Sequence, residues 1–261
     1  MLQGFKQSVK VSDFVNKPIV MGILNVTPDS FSDGGKYVQI EDAVKHVEKL
    51  IKAKVDIIDV GGESTRPGAT LISEEEELKR VIPIIYELKK RFPDIFISID
   101  TYKSNVAQLA LGAGVKMIND VSGLTMDPDM VKVAAKANCP IVIMHNKGIP
   151  ATKPDKSNAG IIQEVYNWLQ KQSQYAIDNG IKKENIIIDV GIGFGKTAKE
   201  DLYLIENSKE FKSLGFPVLV GPSKKSFIKK LFPQENIEQK SKEMAELAVK
   251  NGADIVRVHQ L

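Results

Sequence analysis

Eight side chains able to hold or polarise a ligand stand where short apolar runs break into polar loops. Four are carboxylates or an amide, Asp59, Asp100, Asn119 and Asp189, each at the end of a different apolar run. One alone means little, since Asp and Asn also cap helices. Four converging on one mouth have a chemistry of their own. A carboxylate accepts two hydrogen bonds from an amino-pyrimidinone edge, and a side-chain amide reads the ring nitrogens beside it. Carboxylates also bind Mg²⁺, but a pure carboxylate cage would not call for neighbouring lysines. The other four are Arg66, Lys225, Arg257 and His259. Arg257 and His259 share one strand face, because side chains alternate along a strand. Cations and an imidazole at one rim call for an anion. Arg suits bidentate phosphate contacts, and a helix opening at Ser226 adds N-terminal amides.

Two further strings flank these groups. Asp189-Val190-Gly191-Ile192-Gly193-Phe194-Gly195-Lys196-Thr197 ends like a nucleotide phosphate loop. Gly191 precedes Gly195 by four residues rather than the required five, so nucleotide hydrolysis is rejected. Three alternating glycines instead let backbone approach a flat ligand, with Phe194 as a wall. Earlier, the apolar run from Ile19 stops at Asn25 and gives way to Val26-Thr27-Pro28-Asp29-Ser30-Phe31-Ser32-Asp33-Gly34-Gly35. Pro28, Gly34 and Gly35 are read as barring both a longer strand and a helix start, which leaves Phe31 in a loop with no local core. The loops Thr27 to Gly35 and Ser64 to Ala69 combine Gly and Pro with functional side chains, as ligand-covering loops do.

The elements that must position these groups alternate regularly. Strands are expected at Ile19 to Leu24, Val55 to Val60, Ile95 to Ile99, Lys116 to Ile118, Ile141 to Met144, Ile186 to Ile188, Phe216 to Val220 and Ile255 to Val258. Helices are expected at Ile40 to Lys54, from the Ser73/Glu76 capping box through Lys89, and at Asn105 to Gly112, Pro128 to Ala137, Ile161 to Asn179 and Ser226 to Lys250. Polar signatures follow nearly every strand, which points to a (β/α)8 TIM barrel, since such barrels carry their chemistry at the strands' C-terminal ends. A doubly wound sheet would gather them at one switch point.

The chain has 261 residues, 43% of them hydrophobic. That length fits one barrel of about 250 residues, so 1–261 is read as a single domain. With 36 Lys+Arg against 33 Asp+Glu and no block of like charge, nothing suggests nucleic acid. The lone Cys139 precludes an internal disulfide and fits a reducing cytoplasm. No signal-peptide order or run of about 18 apolar residues suggests export or a membrane.

Seven segments run in the order of one family: Asn25 to Phe31, Gly62-Glu63-Ser64-Thr65-Arg66-Pro67-Gly68, Ser98 to Thr101, Ile118 to Asp120, Gly191 to Lys196, Ser223 to Ser226 and Arg257-Val258-His259. From Gly22 to His259 the chain resembles dihydropteroate synthase, a pterin-binding family. The resemblance implies a transferase of folate biosynthesis that joins 4-aminobenzoate to (7,8-dihydropterin-6-yl)methyl diphosphate and releases pyrophosphate, with Mg²⁺, and that is blocked by sulfonamides. It implies that Asp100, Asn119, Asp189 and Lys225 hold the pterin. Asn25, Arg66, Arg257 and His259 would serve the diphosphate, with Asn25 at the metal. Thr65, Phe31, Pro67, Phe194 and Ser223 would border the aminobenzoate. Departures stand at Val190, Pro222 and Asn146, where the family has proline, threonine and methionine. The family also has a helix after strand eight that contributes to a homodimer, and this chain is expected to lack it. A pterin-dependent methyltransferase and a non-catalytic pterin-binding paralogue are the alternative readings.

Overall fold

Alternating side chains give each short strand two faces, and both are apolar near its start. Eight such strands bury both faces by closing on themselves inside a sleeve of helices. The computed structural model, which describes residues 18–26, 35–66, 68–152 and 160–260, has this arrangement. The parallel strands are β1 Ile19–Asn25, β2 Ile57–Gly61, β3 Ile97–Asp100, β4 Met117–Asp120, β5 Ile141–Met144, β6 Ile186–Asp189, β7 Val218–Val220 and β8 Ile255–Val258, in a closed barrel in chain order. The helices are α1 Gly35–Lys52, α2 Glu74–Arg91, α3 Ser104–Gly112, α4 Met130–Ala137, α5 Ile161–Asp178, α6 Ala198–Glu206, α7 Ser226–Leu231 and α8 Ile237–Lys250. The crossover from β7 to β8 holds both α7 and α8, and among the described residues no helix follows β8. No described helix is long and apolar enough to cross a membrane.

Inside the barrel, Met21, Ile57, Phe96, Met117, Ile187 and Ile255 belong to one buried apolar layer. Outward-facing neighbours such as Ile58, Val60, Ile99, Ile118 and Ile188 join the larger core beneath the helices. Two residues beyond the inner layer, on the same face, the residue type changes to Asp59, Ser98, Asn119, Asp189 and Arg257. The polar groups therefore stand one pleat above an apolar floor. Strand register sets them side by side: Gly61 lies opposite Asp100, Asp100 opposite Asn119, and Met144 opposite Asp189.

Several expected boundaries shift for local reasons. Helix α1 begins at Gly35, against the expectation that the glycines bar a helix start. The first N–H groups of a helix have no intrahelical acceptor in any case, so a glycine there forfeits little. Helix α6 was not anticipated, although Thr197 and Glu200 form a complete capping box at its start. The stretch from Ser226 to Lys250 is two helices, because Pro233 follows the end of α7 and Asn236 caps α8 by accepting from the Glu238 and Gln239 amides. Strand β7 starts at Val218 rather than Phe216, since Pro217 has no N–H to donate, though its carbonyl accepts from Ile188 at 3.0 Å. Asn236→Ala and Thr197→Ala should each lower unfolding free energy by about 1 kcal/mol. Urea denaturation with an unchanged slope checks this, and a loss under about 0.3 kcal/mol in both would refute the capping account.

Candidate active site

The polar layer is held together by one guanidinium. Arg257 donates from Nε to Asp59 Oδ2 at 2.7 Å and from an Nη to Asp100 Oδ2 at 2.6 Å, joining β8 to β2 and β3. Asn119 Nδ2 donates to the same Asp59 oxygen at 2.8 Å. Sequence had grouped Asp59 with the ring-reading acceptors and Arg257 with the anion binders. The structure makes Asp59 the fully buried counter-ion of Arg257, a role that chain order does not reveal. Burial, opposed by Arg257 and reinforced by the Asp59 charge, pushes Asp100 up to about 7. Asn119 Oδ1 is buried without a protein partner and is left to accept from a ligand.

Asp189, at the end of β6, accepts from the Gly191 amide at 2.7 Å. Burial raises it to about 6, although that hydrogen bond and the charge of Lys225 pull the other way. The glycines that follow are required by the fold. Gly191 has φ +69°, and a Cβ there would stand 1.8 Å from the His145 carbonyl oxygen. Gly193 and Gly195 also have positive φ. This turn carries Phe194, whose ring lies 4.5 Å from Lys225 Nζ and which packs with Tyr102, Val121, Met144 and Ala151 in a small apolar cluster. Lys225 is lowered to about 8, first by burial and then by Arg257.

Sequence reasoning missed two groups that shape this turn. Lys196 is buried, and its ammonium donates to the carbonyls of Gly191, Phe194 and His145 at 2.7, 3.3 and 3.4 Å. Asp201 on α6 accepts from the Gly193 amide at 2.8 Å. A lysine followed by the capping-box residues Thr197 and Glu200 was the available signal. The lysine of the phosphate-loop look-alike therefore folds the loop from within.

The cationic corner lies at the ends of β7 and β8. The His259 amide donates to Ser223 Oγ at 3.2 Å, and its Nδ1 is 3.1 Å from the same oxygen. Burial, then the charges of Arg257, Lys224, Arg66 and Lys225, lower His259 to about 3, so its ring is neutral near pH 7. Arg66 is exposed in the loop after β2. Beside it the Thr65 carbonyl accepts from the Ala151 amide at 3.1 Å, tying that loop to the one after β5. Pro222 is buried next to Ser223. Asn146 is tied to the loop after β4, because its Nδ2 donates to the Val121 and Ser122 carbonyls, both at 3.0 Å. A Cβ on Gly61 would lie 3.7 Å from Asn25 Oδ1 and 3.5 Å from Asp100 Oδ2, which places these two side chains on either side of the end of β2. The structure thus gathers Asn25, Asp100, Asn119, Asp189, Phe194, Ser223, Lys225, Arg257 and His259 at one mouth, with Thr65 and Arg66 on a loop beside it. Phe31 and Pro67 lie outside the described residues, as do positions 27–34 of the first loop.

Comparison with known proteins places this geometry in a family. Residues 21–259 match the model of the pterin binding enzymes. The dihydropteroate synthase of Clostridium beijerinckii is 48% identical over 93% of this chain and 88% of its own. Two solved structures of Xanthomonas albilineans dihydropteroate synthase are similarly close. One, with 4-aminobenzoic acid, is 41% identical with a TM-score of 0.86, covering 94% of this chain and 88% of that one. The other, in complex with 7,8-dihydropteroate, is 36% identical with a TM-score of 0.84, covering 99% and 92%. A shared barrel alone would say little about function, but here the match extends over the same strand-end residues that build the mouth, and the chain belongs to the pterin binding enzymes, among the dihydropteroate synthases.

Proposed function

We propose that this chain condenses (7,8-dihydropterin-6-yl)methyl diphosphate with 4-aminobenzoate to give 7,8-dihydropteroate and pyrophosphate. The observation that carries this reading is one barrel mouth in which an acceptor floor meets a cationic corner. Asn119 offers an unpartnered acceptor and Asp189 a strand-end carboxylate to the amino-pyrimidinone edge, and Phe194 and Lys225 wall the ring. Arg66, Arg257 and His259 surround the place of the departing diphosphate. The solved relatives carry 4-aminobenzoic acid and 7,8-dihydropteroate, one substrate and the product of this reaction.

The chemistry is a displacement at the exocyclic methylene. As the carbon–oxygen bond to the diphosphate breaks, positive charge develops on the methylene and spreads into the ring, where Asp100 and Asp189 stabilise it. The cationic corner stabilises the leaving group, and its arrival favours protonation of His259, which the surrounding cations otherwise disfavour. The aminobenzoate nitrogen then forms the new bond to the methylene and releases a proton. No side chain is needed as a nucleophile.

Mg²⁺ suits this site as an ion that comes with the diphosphate. Among the described residues no cluster of three or more His, Cys, Asp or Glu could hold a metal alone. Asn25, at the end of β1, would be the protein's ligand to such an ion. The ion would supply charge neutralisation of the leaving group. A pterin-dependent methyltransferase would have no diphosphate for the cationic corner to bind, and a storage paralogue would need no such corner.

Supplied with the dihydropterin diphosphate, Mg²⁺ and 4-aminobenzoate, the protein should form dihydropteroate and pyrophosphate in equal amounts, and a sulfonamide should inhibit it. Binding of the diphosphate with no release under any condition would overturn the enzyme reading. Arg257→Ala should weaken bare pterin as well as its diphosphate, because it also frees Asp59 and Asp100 to repel each other, whereas His259→Ala should weaken the diphosphate selectively. Calorimetric titration of both variants with both ligands checks the contrast, which equal losses in the His259 variant would contradict.

Asp189 also sets a pH dependence. Its folded value, about 6, lies above the unfolded carboxylate value of about 4. The stability it contributes is fully present below pH about 4 and is lost as pH rises through about 6. Wild-type stability minus that of Asp189→Asn should therefore fall by on the order of 2 kcal/mol between pH 4 and 7. Urea denaturation across that range checks it, and a flat difference would refute the buried-carboxylate assignment.

A further inference from the structure

One member of the β2 loop motif has no part in the site described so far. Glu63 directly precedes Ser64, Thr65 and Arg66, yet its side chain is turned inward and only 3% exposed. Lys103, at the start of α3, donates to Glu63 Oε2 at 2.7 Å and to Glu77 Oε2 of α2 at 2.5 Å. Glu77 is 1% exposed, and its other carboxylate oxygen has no partner. The remaining Glu63 oxygen accepts from the Ile72 amide at 2.6 Å. One carboxylate thus binds both ends of the loop, its own position at the start and Ile72 at the finish. Gly62 permits the arrangement. A Cβ there would lie 2.7 Å from Val81 Cγ1 and 3.0 Å from Glu77 Cγ, so only a glycine lets α2 come this close. Lys103 Nζ also stands 4.8 Å from the ring centroid of Tyr102, which packs with Phe194 and Ala151 in the apolar cluster of the mouth.

Stability alone does not explain burying three charges for one loop. Ion pairs withdrawn from water recover their desolvation cost poorly, and apolar residues of similar size often serve as well. What such a group does well is fix one geometry. We infer that Glu63, Lys103 and Glu77 form a buried charge clamp that fixes the β2 loop and thereby positions Thr65 and Arg66 beside the mouth. They are positioning residues, because none of them faces the ligand space. The hydrogen bond from Ala151 to the Thr65 carbonyl holds the outer part of the same loop, so the clamp governs its base. The consequence for catalysis rests on the function proposed above, with Thr65 at the aminobenzoate and Arg66 at the diphosphate.

The test uses Lys103→Met and the milder Glu63→Gln, which keeps an amide oxygen for Ile72, each compared with wild type. In the free proteins, amide exchange at Ile72 should accelerate in Lys103→Met and less so in Glu63→Gln. In steady-state assays, KM for 4-aminobenzoate should rise about tenfold in Lys103→Met, while affinity for a bare pterin, held by the strand-end acceptors, stays unchanged. If Lys103→Met does not fold, Glu63→Gln decides by the same readouts. Unchanged Ile72 exchange in a folded variant would overturn the clamp, and so would a loss of bare-pterin affinity equal to that for aminobenzoate. Faster Ile72 exchange in a protein whose wild type never turns over would uphold the clamp while removing the enzyme reading.

Discussion

Two carboxylates sharing one guanidinium form the constraint from which the rest of the mouth follows. Asp59 and Asp100 come from adjacent strands and both lean toward Arg257 of β8. Without that cation they would be neighbouring buried anions, and removing one partner of such a group typically costs about 3–5 kcal/mol. The same contact decides the direction of everything near it. Asn119 donates to the same Asp59, and its carbonyl oxygen is left buried without a protein partner. Burial raises Asp100 above the ordinary carboxylate range, and the shared cation only partly opposes that shift.

The loop after β6 solves a second problem, how to present an aromatic wall on backbone that must itself lie against the barrel. Its glycines permit the close approach, but glycine alone would leave the loop loose. The buried ammonium of Lys196 gathers the carbonyls of Gly191 and Phe194 and that of His145 just after β5, and the Asp201 carboxylate takes the Gly193 amide between them. Burial lowers this ammonium to about 8, and the nearby charges of Asp201 and Asp189 oppose that shift. The aromatic wall is thus fixed by backbone polarity rather than by side-chain packing alone.

Much of this was legible in the chain because both the floor and the polar layer obey the same period of two. The apolar runs announced the strands, and the break in polarity announced their C-terminal ends, which is why Asp100, Asn119, Asp189 and Arg257 could be placed at one mouth. What periodicity does not encode is pairing between distant strands. It could not say that Asp59 serves Arg257 rather than a ligand, or that Asn146 braces two loops through the Val121 and Ser122 carbonyls. Nor could it show Lys196 turned inward, since a lysine after glycine reads equally well as a solvent-facing residue. Helix boundaries near Gly35 and Pro233 were misjudged because the capping geometry that decides them is a matter of a single turn.

The central ion pair joins residues 198 positions apart, from the second strand of the barrel to the last. During synthesis the chain emerges from its N-terminal side, and the early elements begin to fold while the final strand is still being made. Throughout that interval Asp59 and Asp100 have no Arg257 to pair with, so the polar layer of the mouth is completed only when β8 docks between β7 and β1 and closes the barrel.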